Sequence, residues 1–213
     1  MLTNHDYDKE ETNMYKGTIS FRDSISCIIG CDRCNLHITR TNIVLYRGNP
    51  KSNIMVIGEG PGRLENEKGI PMVGPTGSYL VRLLEQNGLS LYDYFITNSV
   101  LCMVPNNGDP TPNQLNACSD WFNMIIDLVN PIYIITVGRI SSERLIPQFA
   151  TGDLKITREG VEGASFTSPN LRGKVIIPIR HPSFIMKDLP NREESYKENI
   201  SNIVSKCKTG HSL

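Results

Sequence analysis

The chain has no charge bias: 22 lysine and arginine residues are balanced by 22 aspartate and glutamate residues across 213 positions. A zero balance removes the global electrostatic signature of a nucleic-acid binder, so any such partner must be met by a local patch. No apolar run approaches the roughly 20 residues of a membrane span, so no membrane partner is expected. Internal repeats and low-complexity tracts are also missing, which argues against a solenoid or an array. The first residues are polar and acidic (Asp6, Asp8, Glu10, Glu11), the wrong chemistry for a secretory leader. A cytoplasmic location is expected, and in that compartment disulfides are not.

The apolar, charged and aromatic fractions are those of an ordinary globular protein. The length suits one substantial core. Residues 1–20, polar and weakly periodic, read as an N-terminal extension, and residues 21–213 as a single domain. Between Arg172 and Lys208 eight basic residues stand against four acidic ones, either a basic face or a solvated helix.

From Ile54 onward strand-like and helix-like segments alternate. Strands are expected at Ile54–Ile57, Tyr94–Thr97, Ile132–Val137 and Val175–Ile179. Helices are expected at Gly77–Asn87, Asn113–Asn130, Ser141–Phe149 and Glu193–Cys207. In the first helix Leu80, Leu83 and Leu84 share one face. Gly152–Lys174 reads as a long loop or a small hairpin. This alternation places the chain in the α/β class, with a parallel sheet covered by helices.

The run Ile54–Ile57 passes into Gly58-Glu59-Gly60-Pro61-Gly62. Open α/β sheets bind ligands outside the carboxyl ends of their strands. Glycines there let the backbone approach a ligand, and proline stiffens the turn. Glu59 is then a carboxylate at the mouth of a crevice. A second glycine cluster, Gly69-Ile70-Pro71-Met72-Val73-Gly74-Pro75-Thr76-Gly77, follows. Strand-to-helix turns are often glycine-rich for structural reasons alone, so the loops by themselves do not decide for a site.

Six cysteines are present: Cys27, Cys31, Cys34, Cys102, Cys118 and Cys207. Cys31 and Cys34 have metal-ligand spacing. Cys102 and Cys118 bracket a proline-rich loop stiff enough to bring its ends together. Four thiolates from two separated pairs suit zinc or an iron–sulfur cluster. Buried cysteines also act simply as small apolar residues.

Arg180-His181-Pro182-Ser183-Phe184-Ile185-Met186-Lys187 leaves the same sheet edge. A histidine there can stabilise developing negative charge or move a proton, or it can cap the sheet. An apolar tip beside a cation suits insertion into stacked bases, or packing on the core. Asn98 closes a third strand. Its amide donates and accepts together, as reading a base edge requires, though asparagines also cap turns.

Taken together, these segments resemble the iron–sulfur uracil-DNA glycosylases, family 4 of the uracil-DNA glycosylase superfamily. The resemblance runs from Cys31 to Lys187. It rests on Cys34-Asn35-Leu36-His37-Ile38-Thr39-Arg40-Thr41, on Gly58–Gly62 with the downstream Glu65, on Ile96-Thr97-Asn98, on the Cys102–Cys118 span and on His181-Pro182-Ser183.

The resemblance implies a three-layer α/β/α sandwich around a central four-stranded parallel sheet. It implies a [4Fe–4S] cluster on Cys31, Cys34, Cys102 and Cys118, with zinc as the alternative. Glu59, His181 and Glu65 would be catalytic. Glu59, with the Gly60–Gly62 backbone, would position or activate water, and His181 would stabilise charge on the departing base. Gly58, Gly60, Pro61, Gly62, Met72, Asn98 and Ser183 would line the base pocket. Ile185 or Met186 would fill the vacated stack, with Lys187 at the backbone. The reaction would be hydrolysis of the N-glycosidic bond of a flipped uracil in DNA. Water would be the nucleophile, since the matched pocket motifs hold no lysine for a Schiff base.

One departure stands out. Met72 occupies a place where the family usually carries a phenylalanine that stacks on uracil. That leaves a weaker uracil pocket, a harmless substitution, or a pocket for a 5-modified pyrimidine. A non-catalytic iron–sulfur module binding uracil-containing or single-stranded DNA is the rival from another class, and retention of Glu59, Asn98 and His181 argues against it. A monomer acting on single- or double-stranded DNA is expected.

Overall fold

A computed structural model describes residues 21–146, 163–167, 171, 173–187 and 192–209. The extension over residues 1–20, most of the 152–174 loop or hairpin and the helix end at Phe149 lie outside the described residues.

In chain order the elements are α1 (Phe21–Ile25), α2 (Leu36–Thr39), β1 (Arg47–Gly48), β2 (Ile54–Gly58), α3 (Arg63–Lys68), α4 (Pro75–Gln86) and β3 (Tyr94–Asn98). There follow α5 (Pro112–Ala117), α6 (Ser119–Val129), β4 (Tyr133–Val137), α7 (Arg139–Leu145), β5 (Phe166–Thr167), β6 (Val175–Ile179), α8 (Pro182–Lys187) and α9 (Glu193–Thr209). The strands form one sheet in the order β1-β3-β2-β4-β6-β5. The inner four are parallel. The two outer strands are antiparallel two-residue additions, which the sequence reading of four strands did not include. Two residues carry no readable alternation, and β5 falls inside the segment read as a loop or hairpin.

Every residue of β2, β3 and β4 is buried, because helices cover both faces. Ile54 and Val56 pack with Leu80, Leu84, Tyr196, Ile200 and Ile203, the layer of α4 and α9. Met55 and Ile57 pack with Phe122, Ile125, Ile126 and Leu145, the layer of α6 and α7. Period-two alternation in the strands therefore sends successive residues into two separate cores. The result is the three-layer sandwich.

The helix expected over Asn113–Asn130 is two helices meeting at Cys118. Thr111 starts the first with a capping box: its side chain accepts from Gln114 N, and the Gln114 side chain accepts from Thr111 N. The break leaves Cys118 at a junction rather than mid-helix. α4 begins on Pro75, with Gly74 as its N-cap, two residues before the expected start.

Candidate active site

Because β2, β3, β4 and β6 run parallel, their carboxyl ends share one edge. Glu59 follows β2, Asn98 ends β3, Gly138 follows β4 and His181 lies two residues beyond β6. The chain steps from β2 to β3 on one side and later to β4 on the other. That reversal opens the crevice in which doubly wound sheets bind ligands.

Glu59 spans that crevice. Its Oε1 accepts a hydrogen bond from the backbone N–H of Ile140, 3.0 Å away, at the start of α7. Gly138 has φ +94, and a Cβ there would lie 2.5 Å from Glu59 Oε1. Glycine is thus required twice at this turn, for conformation and for room.

Asn98 is paired in register with Gly58. Its side chain is buried, and its Nδ2 has no hydrogen-bond partner among the described residues. A Cβ on Gly58 would collide with Asn98 Oδ1 and would meet the Met72 methyl at 3.5 Å. Gly58 therefore provides the space where the Asn98 carboxamide and the Met72 side chain come together.

Met72 is buried and has a left-handed backbone, φ +54. A Cβ on Gly77 would run into the Met72 Cα, so α4 packs against this loop at glycine-only distance. Arg47 Nη1 donates to the Met72 carbonyl at 3.4 Å. Glu65, expected among the catalytic groups, is buried. Its Oε1 accepts from Val73 N at 3.0 Å and from Gly74 N at 2.6 Å. Its Oε2 lies 2.8 Å from where a Gly62 Cβ would be. This carboxylate ties α3 to the loop that leads into α4.

His181 is partly buried, and its Nδ1 faces Ser183 Oγ at 2.7 Å and Ser183 N at 3.4 Å. A backbone N–H can only donate, so Nδ1 accepts and the ring proton belongs on Nε2. Of the two wedge candidates, Ile185 is 2 % exposed and part of the core shared with α4 and α9. Its neighbours Phe184 and Met186 are 46 % and 41 % exposed. A one-turn helix, α8, sends adjacent residues in different directions, so only part of the apolar tip can face solvent. The guanidinium groups of Arg180 and Arg192 lie 5.5 and 5.0 Å from the Phe184 ring centroid. The Lys187 side chain lies outside the described residues.

Cys31, Cys34, Cys102 and Cys118 line one cavity, together with Arg40, Leu101, Gln114 and Trp121. Among the described residues, no three side chains of His, Cys, Asp or Glu converge tightly enough to hold a metal ion as they stand. The thiols are not bare. Trp121 Nε1 donates to Cys31 Sγ at 3.1 Å, and Arg40 Nη1 to Cys102 Sγ at 3.5 Å. Arg33 stacks over the Trp121 ring at 3.9 Å and pairs with Asp120 at 2.8 Å. Burial raises the Cys102 thiol pKa and pushes that of Cys118 up to about 11. Arg144 of α7 donates to Ser99 O at 2.7 Å, beside Asn98, and to Ser119 Oγ at 3.1 Å, beside Cys118. Cys27 is exposed, and Cys207 packs against the α4–α9 core.

Sequence reasoning missed Arg47, Trp121, Ile140 and Arg144, and it named Gly77 without its approach to Met72. The Val137-Gly138 turn was visible as a strand end, but its contact with Glu59 was not.

Residues 45–203 match the profile of the uracil DNA glycosylase superfamily. The chain is 34% identical over 189 residues to a type-4 uracil-DNA glycosylase of Archaeoglobus fulgidus, covering 88% of this chain and 94% of that protein. It is 34% identical over 179 residues to one from Thermotoga maritima, covering 84% and 88%. Against the type-4 enzyme of Saccharolobus solfataricus it is 38% identical over 174 residues, covering 79% of each. The chain belongs to the uracil DNA glycosylase superfamily.

Proposed function

We propose that this protein hydrolyses the N-glycosidic bond of uracil flipped out of DNA, leaving an abasic site. The carrying observation is the Asn98 amide, buried at the sheet edge with Nδ2 unpartnered among the described residues. A buried donor without a partner costs about 1–3 kcal/mol, so its retention points to a ligand acceptor. A uracil carbonyl is such an acceptor, and the adjacent Asn98 Oδ1 suits the uracil N3–H. Type-4 uracil-DNA glycosylases among the relatives support the same assignment.

In this reading Glu59, oriented by the Ile140 amide, aligns the attacking water. His181 presents its Nε2 proton to the base as the glycosidic bond breaks. A donor aimed at developing negative charge is worth about 2.7–4 kcal/mol in comparable sites. Phe184 and Met186 are the exposed apolar groups able to enter the vacated stack, in place of Ile185. Gly58, Gly60, Pro61, Gly62, Met72 and Ser183 form the walls.

Cys31, Cys34, Cys102 and Cys118 would hold a [4Fe–4S] cluster. The group would tie the α2 region to the α5–α6 junction and would supply no chemistry at the base. Thiols spread around a cavity suit a multi-iron cluster better than zinc, whose ~2.3 Å bonds draw four sulfurs close together.

The test is an oligonucleotide carrying one uracil, incubated with purified protein and then cleaved at abasic sites. Cleavage is expected with uracil and not with thymine. An intact uracil strand would overturn the assignment. His181→Ala should slow single-turnover excision by about 10²–10³-fold.

A further inference from the structure

Glu65 is a buried carboxylate whose better-placed oxygen is already engaged by two backbone amides. Oε1 takes both Val73 N–H, at 3.0 Å, and Gly74 N–H, at 2.6 Å. These are the two amides immediately after Met72. From the opposite edge of the peptide that joins Met72 to Val73, Arg47 reaches from β1 to the Met72 carbonyl at 3.4 Å. Met72, which leads into this doubly held peptide, has φ +54, a conformation that non-glycine residues rarely adopt. Tertiary contacts must hold a residue in that region against its local preference. Here the Met72 side chain reaches the space over Gly58 shared with the Asn98 carboxamide.

We propose that Glu65 is a positioning residue: it fixes the left-handed backbone of Met72, so that the Met72 side chain closes the base pocket beside Asn98. Arg47 completes the clamp. Glu65 takes no proton from water or substrate. The proposal rests on the reading of this pocket as the uracil site, but its structural half does not.

The clamp needs an oxygen acceptor at the end of a Glu-length side chain, and it does not need a base. Glu65→Gln keeps the oxygen and the length. Glu65→Asp keeps the carboxylate but is one methylene short. Glu65→Ala keeps neither. A clamp therefore ranks the variants wild type, Gln, then Asp and Ala together. A general base ranks Asp above Gln, with Gln as poor as Ala.

Two measurements decide, both on the full chain. The first is hydrogen exchange of the Val73 and Gly74 amides without DNA. Protection should persist in Glu65→Gln and disappear in Glu65→Asp and Glu65→Ala. Unchanged exchange in Glu65→Asp and Glu65→Ala would overturn the clamp, whatever the protein's activity. The second is single-turnover uracil excision against pH. Glu65→Gln should stay within about fivefold of wild type with the same acid limb, since a charged acceptor becomes a neutral one. Glu65→Asp should lose on the order of 10²-fold, the cost of a misplaced pocket wall. A Glu65→Gln rate as low as that of Glu65→Ala, with the acid limb gone, would make Glu65 a base and overturn the proposal. Failure of the wild type to release uracil, with the exchange pattern intact, would overturn the uracil reading and leave the clamp standing.

Discussion

Glu59 Oε1 and the backbone N–H of Ile140 stand 3.0 Å apart, joined across the crevice between β2 and β4. The carboxylate follows one strand, and the group that orients it follows another. Its position therefore depends on the turn at Gly138, which has φ +94 and ψ −177, a region essentially restricted to glycine. Gly138→Ala should do two things at once. Backbone strain should cost about 1–3 kcal/mol of stability. The new methyl, 2.5 Å from Glu59 Oε1, should push the carboxylate aside. Single-turnover excision should fall on the order of 10²-fold, more than the loss of folded protein explains. Equal excision per folded molecule would show that Glu59 does not need this placement.

The unpartnered Asn98 amide implies a trade of stability for function. Asn98→Leu has similar volume and removes a buried donor that lacks a partner among the described residues. Thermal unfolding should show no loss of stability and a gain of up to about 1–3 kcal/mol. Uracil excision should nevertheless collapse. A strongly destabilised Asn98→Leu protein would mean that the amide is satisfied inside the fold and is not held for a base.

On α8, alternate residues have opposite fates. Ile185 is 2 % exposed, whereas Phe184 and Met186 are 46 % and 41 % exposed. Ile185→Ala should act on stability, costing about 2–5 kcal/mol by cavity formation. Phe184→Ala and Met186→Ala should leave the unfolding temperature nearly unchanged. They should slow excision from duplex DNA on the order of tenfold or more, while sparing single-stranded substrate, where no stack must be filled. Equal losses on both substrates would argue against a wedge.

Much of this was legible in the sequence because it is local. Apolar runs gave the four inner strands, and the Gly58–Gly62, Asn98 and His181 segments fell at their carboxyl ends. What stayed hidden depends on contacts between distant segments. No local pattern distinguishes a catalytic Glu65 from one whose oxygen holds Val73 and Gly74. Nor does a pattern show that Ile185 packs inward while its neighbours do not. Met72 was visible as a departure from phenylalanine. Its φ of +54, and the contacts of Arg47, Glu65 and Gly77 around it, were not.

Trp121 was equally invisible, since its Nε1 meets Cys31 Sγ across 90 positions. Hydrogen bonds to cluster sulfurs stabilise the more negative, reduced state and raise the potential. Trp121→Phe keeps an aromatic ring for Arg33 but removes the donor. If the four cysteines hold the proposed [4Fe–4S] cluster, its midpoint potential should drop on the order of tens of millivolts, with iron content preserved. An unchanged potential would place Cys31 Sγ outside the ligand set or Trp121 away from it.

Cys207 contributes to an alkaline decline in stability. Burial pushes its thiol pKa up from 9.0 to about 12. Between those values the unfolded chain has lost a proton that the folded chain still holds, so rising pH favours unfolding. The contribution is intact below about pH 9 and declines above it by at most roughly 1.4 kcal/mol per pH unit. Tyr79, raised to about 12 by burial and then by Glu193, acts in the same direction. Cys207→Ala should lower stability at neutral pH, since the thiol packs against the α4–α9 core. It should also flatten the alkaline decline by close to one proton. Urea unfolding at pH 8, 9 and 10 measures both effects. Parallel curves for wild type and Cys207→Ala would mean that the thiol titrates in the folded protein as it does in water.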